Sequence, residues 1–117
     1  MNILKKTAGA ALMVLAIQAS AQAADAKHGH ELFLKNGCYL CHGTVAQGSN
    51  AGPHLVPGLI PFEALSAYVR RPANEMPPFS KKILSEAKLR DIYAYLESIP
   101  KPPSADSIAL LPKIAGQ

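Results

Sequence analysis

Apolar residues along this chain recur at helical rather than strand spacing, most clearly in the stretch before Pro100. Four of them repeat at positions i, i+3, i+4 and i+7, which puts them on one face of a helix: Leu89, Ile92, Tyr93 and Leu96. Ser85 is a suitable N-cap for this helix, and Glu86 lies in its first turn, where the helix dipole favours a negative charge. Arg90 follows Glu86 by four residues, which predicts a supporting ion pair on the exposed face.

Two earlier helices are predicted from the residues that begin and end them. The first covers residues 25–36, with Asp25 as its cap and Gly37 suited to the positive φ of a helix end. The second covers residues 61–71, with a proline at its first position and Pro72 stopping it. No segment shows the alternation typical of a strand, so the sequence predicts a small all-α fold with three main helices.

The N-terminal residues have the layout of a secretory signal peptide. Lys5 and Lys6 precede an apolar stretch of about 12 residues, from position 8 to position 19, and small residues follow it. A helix that spans a bilayer needs roughly 20 residues, so an uncleaved membrane anchor is the weaker alternative. We therefore predict that residues 1–23 are cleaved off and that the protein is exported to the periplasm, without stable membrane insertion.

The exported chain is expected to form one small domain followed by a tail. Residues 24–100 make up the predicted domain, and the proline-rich C-terminal tail covers residues 101–117. Ten basic and eight acidic residues follow the signal peptide, and this mild balance gives no argument for nucleic-acid binding. A domain of this size is marginally stable alone, and small exported domains often depend on disulfides, metals or a cofactor.

Both cysteines of the chain lie in the stretch CYLCHG, which fits several kinds of site. A thiol redox pair is typical of a strand–helix–strand pattern, which the sequence does not show. A zinc site could use Cys38, Cys41 and His42, but structural zinc sites usually add a second close pair of ligands. The candidates for a fourth zinc ligand are single histidines instead: His28, His30 and His54.

Covalent haem attachment accounts for every residue of the same motif. Cysteines three apart on a helical turn can form thioethers with the two vinyl groups on one edge of a haem, and the histidine that follows then faces the iron. A haem also provides a large apolar surface around which a few short helices can pack. The sequence therefore predicts one haem c, attached through Cys38 and Cys41, with His42 as an iron ligand.

Met76 is the candidate for the second iron ligand. It is the only methionine after the predicted signal peptide, and it directly precedes Pro77 and Pro78. A proline disfavours helical backbone at the residue before it, so Met76 is expected in a stiff, extended loop that aims its thioether at a fixed point. The alternative is that Met76 fills the core, which is the usual role of methionine.

These residues resemble those of class I c-type cytochromes. The resemblance runs from residue 27 to residue 100 and is carried by four motifs in order, GHELFLKNGCYLCHG, GPHL, MPPF and LRDIYAYL. It implies a cytochrome c-like fold in which the first and last helices cross near Gly29 and Phe33. The matching positions on the last helix are three apolar or aromatic residues: Ile92, Tyr95 and Leu96.

The resemblance also implies roles at the haem. The carbonyl of Pro53 would accept a hydrogen bond from His42, and Met76 would be the distal iron ligand. The 34 positions between the two iron ligands match the compact bacterial type, and the chain has no tryptophan to contact a haem propionate. Three residues are candidates to replace that contact: Tyr68, Arg70 and Arg71. His54 lies outside the family's pattern.

The expected function is the transfer of single electrons between redox proteins, without enzymatic activity. The predicted partners are a periplasmic dehydrogenase or respiratory donor and a terminal oxidase or other acceptor, and the protein is expected to be a monomer unless it belongs to a complex. Two alternatives stay open, a dedicated cytochrome subunit of a periplasmic dehydrogenase and a haem-based sensor of small ligands. Four cations flank Met76 in the sequence and are either docking residues or simply solvated: Arg70, Arg71, Lys81 and Lys82.

Overall fold

The computed structural model describes residues 23–104 and 107–108, and these residues form a helical domain. Its helices are α1 Ala26–Lys35, α2 Cys38–His42, α3 Phe62–Arg70 and α4 Glu86–Ser98. No β-strand occurs in this part of the chain, so the predicted all-α class is confirmed. Nearly all of the predicted signal peptide and most of the predicted tail lie outside the described residues.

The predicted helix caps are present. The carboxylate of Asp25 accepts hydrogen bonds from the backbone N–H groups of Lys27 at 2.9 Å and His28 at 3.2 Å. Ser85 caps α4 by accepting from the N–H of Lys88 at 3.3 Å. Gly37 has a φ of +73°, which explains why a glycine ends α1. Local sequence therefore determines where these helices begin and end.

The start of α3 differs from the prediction by one residue. Pro61 is the N-cap, with φ −54° and ψ 147°, and the first helical residue is Phe62. The fixed φ of proline suits both positions, but the extended ψ excludes Pro61 from the helix. The helix ends at Arg70, directly before the Arg71–Pro72 pair.

Helices α1 and α4 cross in close contact and carry most of the core. Gly29 is buried at the crossing, where a Cβ atom would overlap the backbone carbonyl of Asp91. Phe33 is 1% exposed, and its ring centroid lies 5.5 Å from that of Tyr95. The crossing positions that the resemblance implied are therefore confirmed. The buried faces of the two helices form one wall of the interior.

The predicted apolar face of α4 is wrong at one position. Leu89, Ile92 and Leu96 are buried as expected, but Tyr93 is only half-buried and Tyr95 takes the inward place. The buried face is centred between Ile92 and Leu96, and α1 packs on the side where Tyr95 lies. The Tyr95 hydroxyl donates to the carbonyl of Thr44 at 3.0 Å, which fastens the loop after α2 to α4.

The predicted Glu86–Arg90 ion pair is also wrong, because both side chains have other partners. The Arg90 guanidinium carbon lies 4.0 Å from the centre of the Phe62 ring, a cation–π contact. Glu86 instead accepts hydrogen bonds from Ser66 at 2.9 Å and from Arg70 at 3.3 Å. Within the described residues, no helix is long and apolar enough to cross a membrane.

Candidate haem site

The helices and the loops between them line an open cavity of about 630 Å³. This volume lies within the range of roughly 300–1,000 Å³ typical of cofactor pockets. The walls are mostly apolar and come from α2, α3, α4 and the loops around them. All five residues that the sequence predicts for the site line this one cavity: Cys38, Cys41, His42, Pro53 and Met76.

The two thiols are presented by α2, a short helix between two glycines. Gly37 before it and Gly43 after it have φ values of +73° and +79°, a backbone region that side chains other than glycine rarely adopt. Cys38 and Cys41 are three apart on this helix, and neither forms a disulfide. Ser49 further holds the end of α2 by donating to the carbonyl of Cys41 at 2.6 Å.

The imidazole of His42 is oriented by a backbone carbonyl. Its Nδ1 lies 2.8 Å from the carbonyl oxygen of Pro53, the contact that the resemblance implies. A carbonyl can only accept, so the Nδ1 atom carries a proton, and in the neutral ring this leaves the lone pair on the Nε2 atom. A neutral imidazole fixed in this way is prepared to bind a metal through Nε2.

Met76 lies in a long loop that crosses one side of the cavity. This segment, residues 71–85, is called the Met76 loop below. Met76 is half-buried and packs against the buried core residues. The structure therefore also shows the contact expected if Met76 filled the core. The N–H of Phe79 donates to the carbonyl of Val69 at 3.0 Å, and this hydrogen bond holds the loop against the end of α3.

Arg70 does not lie on the free surface, contrary to its predicted docking role, whereas a contact with a haem propionate stays a prediction. Its side chain is 15% exposed, and the guanidinium donates to the carbonyls of Phe79 at 2.9 Å and Leu84 at 2.7 Å. The sequence carries no signal for this arrangement, since an arginine at the end of a helix is usually solvated. Arg71 is exposed, and Tyr68 and His54 both line the cavity.

Thiol redox chemistry and zinc binding fit the site less well than haem attachment. Burial, with a smaller effect of neighbouring Cys41, raises the pKa of the Cys38 thiol to about 11. Reactive thiol pairs need the opposite shift, because the thiolate is the nucleophile. Among the residues that the structure describes, no three His, Cys, Asp or Glu side chains group as ligands for a metal ion. The zinc interpretation therefore finds no ligand set here.

The donor groups, the volume and the mostly apolar lining of the cavity fit a haem c. Two free thiols lie on one turn of helix, an oriented imidazole follows them, and a thioether lines the same cavity. Cys38 and Cys41 would hold the macrocycle, and the mostly apolar walls would bury its faces. This arrangement defines the chain as a small c-type cytochrome.

Comparison with known proteins identifies the family. Residues 24–96 match the family described as cytochrome c oxidase, cbb3-type, subunit III, and the chain belongs to this family. It is also 29% identical over 100 residues to cytochrome c-555 of Methylococcus capsulatus, an alignment covering 80% of this chain and 81% of that protein. No solved structure gives a significant match. Haem, iron and electron transfer are thereby shown as properties of the class, whose members are typically carriers rather than enzymes.

Proposed function

We propose that this protein is a monohaem electron carrier of the periplasm, with iron held by His42 and Met76. The observation that carries the proposal is the hydrogen bond from His42 Nδ1 to the Pro53 carbonyl, within a cavity that Cys38, Cys41 and Met76 also line. One oriented imidazole, one thioether and two thiols are the groups that a covalently bound haem with two protein ligands requires.

The bound haem would supply a single iron that alternates between the ferric and ferrous states. The protein's part is to keep the ligands in place in both states, so that little rearranges when an electron moves. The Pro53 carbonyl fixes the ring of His42, and the two prolines after Met76 stiffen the backbone that carries the thioether. A soft thioether ligand favours the ferrous state and raises the reduction potential.

The proposed partners are other redox proteins, with a dehydrogenase or respiratory donor on one side and an oxidase or other acceptor on the other. Arg71, Lys81 and Lys82 are exposed around the Met76 loop and would attract an acidic partner surface. The family's description names an oxidase subunit, which agrees with an oxidase as acceptor.

The attachment and the redox behaviour can be tested on protein purified from a periplasmic extract. Intact mass should equal residues 24–117 plus one haem, and a potentiometric titration should show one reversible one-electron step. Cys38→Ser and Cys41→Ser should each leave at most one thioether, and the double variant should carry no covalent haem. A double variant that keeps covalent haem would contradict the assigned attachment. A mass that includes residues 1–23 would contradict cleavage.

A further inference from the structure

Arg70 differs from the other cations near Met76 because its guanidinium is turned into the protein. Nη1 donates to the carbonyl of Phe79 at 2.9 Å and to that of Leu84 at 2.7 Å. Nη2 lies 3.3 Å from a carboxylate oxygen of Glu86. One side chain thus satisfies two backbone carbonyls and pairs with one acid.

These bonds join three parts of the fold at the base of the Met76 loop. Arg70 is the last residue of α3, Phe79 and Leu84 belong to the Met76 loop, and Glu86 is the first residue of α4. Glu86 is held in turn by the hydroxyl of Ser66, which donates to it at 2.9 Å. The loop is therefore closed at its base by a hydrogen-bonded network rather than by apolar packing alone.

Phe79 is the point of this network that bears on Met76. The two residues between them are prolines, which have fixed φ and no N–H to hold them in place. Phe79 has the first N–H after Met76, which donates to Val69 at 3.0 Å, while its carbonyl accepts from Arg70. Because the connecting prolines have fixed φ angles, the anchored position of Phe79 restricts where the backbone can place Met76 at the cavity.

The arrangement uses chemistry that is specific to arginine. A planar guanidinium has five N–H donors in a fixed fork, so it can reach two carbonyls and a carboxylate together. A lysine carries its charge at one point and cannot reproduce this geometry, and an apolar side chain would leave the carbonyls without their donor.

We propose that Arg70 is a positioning residue for the methionine ligand. By fixing Phe79 and the base of the Met76 loop, it keeps the thioether of Met76 at the iron and disfavours its replacement by small external ligands. This inference rests on the proposed function, since it takes Met76 as the ligand.

The test compares the haem-loaded wild type with Arg70→Met and Arg70→Lys, using Arg71→Met on the adjacent exposed arginine as the matched control. Titration with imidazole measures how readily Met76 is displaced, and the weak red absorption band of Fe–S(Met) reports its ligation. We expect Arg70→Met to bind imidazole roughly tenfold more tightly or better and to lose intensity in the red band, the effect of losing charge-assisted hydrogen bonds. Arg71→Met should keep the imidazole affinity and the red-band intensity of the wild type, because Arg71 is exposed.

Hydrogen exchange gives a readout that a general loss of stability does not reproduce. The Phe79 amide should exchange faster in Arg70→Met and Arg70→Lys, whereas the amide of Phe33 in α1 should change little. Imidazole affinity, red band and Phe79 exchange that all stay at wild-type levels would overturn the positioning role alone. A wild-type protein without the red band would overturn His/Met ligation, and this inference with it.

Discussion

At the scale of single residues, the site depends on backbone groups as much as on side chains. The proton on His42 Nδ1 is fixed by the Pro53 carbonyl at 2.8 Å, so the lone pair on Nε2 is free to bind a metal. A substitution of Pro53 would keep the carbonyl but change where the loop presents it. The orientation of His42 is therefore a property of the loop's path.

Gly29 gives the sharpest prediction at a single position. Gly29→Ala places a methyl group against the Asp91 carbonyl, so α1 and α4 must separate. Overpacking of this kind typically lowers the free energy of unfolding by about 1–3 kcal/mol. We expect a loss of about 3 kcal/mol or more here, because the methyl group meets the backbone of α4 rather than a flexible side chain. Thermal or denaturant unfolding of the haem-loaded protein measures the loss.

The control for Gly29→Ala is Glu31→Ala, at an exposed position of the same helix. Its free energy of unfolding should stay within about 0.5 kcal/mol of the wild type. Equal stabilities for the two variants would mean that the close crossing of α1 and α4 does not exist in solution.

The residues of the site could be predicted from sequence for a specific chemical reason. Attachment of a haem through two thioethers would require this spacing of the cysteines and the histidine, and the two prolines after Met76 disfavour helical backbone at that residue. Arg70 could not be predicted, because an arginine that ends a helix has the same sequence pattern whether its guanidinium faces water or two carbonyls. Only the path of the Met76 loop decides that.

At the scale of elements, the helix ends were predictable and the helix faces less so. Capping by Asp25 and Ser85 is local, and it follows from side chains within a few residues of the cap. Which tyrosine of α4 points inward depends on where α1 packs, a long-range contact that periodicity does not contain. The cation–π contact of Arg90 with Phe62 replaced a predicted ion pair for the same reason.

The junction of α3 and α4 should be sensitive to acid. A hydrogen bond from Ser66, followed by the interactions with Arg70, lowers the pKa of Glu86 below its usual value of 4.5. A lowered pKa means that the folded state favours the carboxylate. The stabilisation is therefore present above pH 4.5 and is lost as the pH falls through the folded-state pKa.

Glu86→Gln tests this acid sensitivity. At neutral pH the variant should lose roughly 1 kcal/mol or less, since the partly exposed carboxylate is screened by solvent. It should also lose less stability than the wild type when the pH is lowered below 4.5. Unfolding at a series of pH values measures both effects, with Glu63→Gln at an exposed position of α3 as the control. Parallel pH profiles for wild type and Glu86→Gln would contradict the prediction.

At the scale of the whole molecule, the site exists only because remote parts of the chain meet around one cavity. The thiols and imidazole come from α2, the orienting carbonyl from the following loop, and Met76 from the loop between α3 and α4. That these residues share one site was predicted from the order of the four motifs, through the resemblance to class I c-type cytochromes. Composition and periodicity predicted only an all-α class. A covalently attached haem would then complete an interior that three main helices enclose only in part.

The exposed cations of the Met76 loop predict how charge affects reaction rates. Oxidation of the reduced protein by ferricyanide, an anion, should slow severalfold at low ionic strength when Arg71, Lys81 and Lys82 are changed to glutamine. The wild-type rate should also fall as salt is added. Stopped-flow absorbance of the haem measures both rates.

A second triple variant, with Lys27, Lys35 and Lys88 changed to glutamine, is the control because it makes the same change in net charge on other surfaces. Equal slowing by the two triple variants would show that net charge acts alone and would remove the docking role of the Met76 loop.

The most direct test of the proposed function is the optical spectrum of the haem-loaded protein, oxidised and reduced, for the wild type, Met76→Ala and Ile83→Ala. Ile83 is 61% exposed in the same loop and is the matched control. Ligation by His42 and Met76 predicts a low-spin ferric spectrum with the weak red Fe–S(Met) band, lost in Met76→Ala and kept in Ile83→Ala. A high-spin ferric wild type would mean an open iron site and would contradict the electron-carrier proposal in favour of ligand sensing. A red band that survives in Met76→Ala would contradict the assigned ligand.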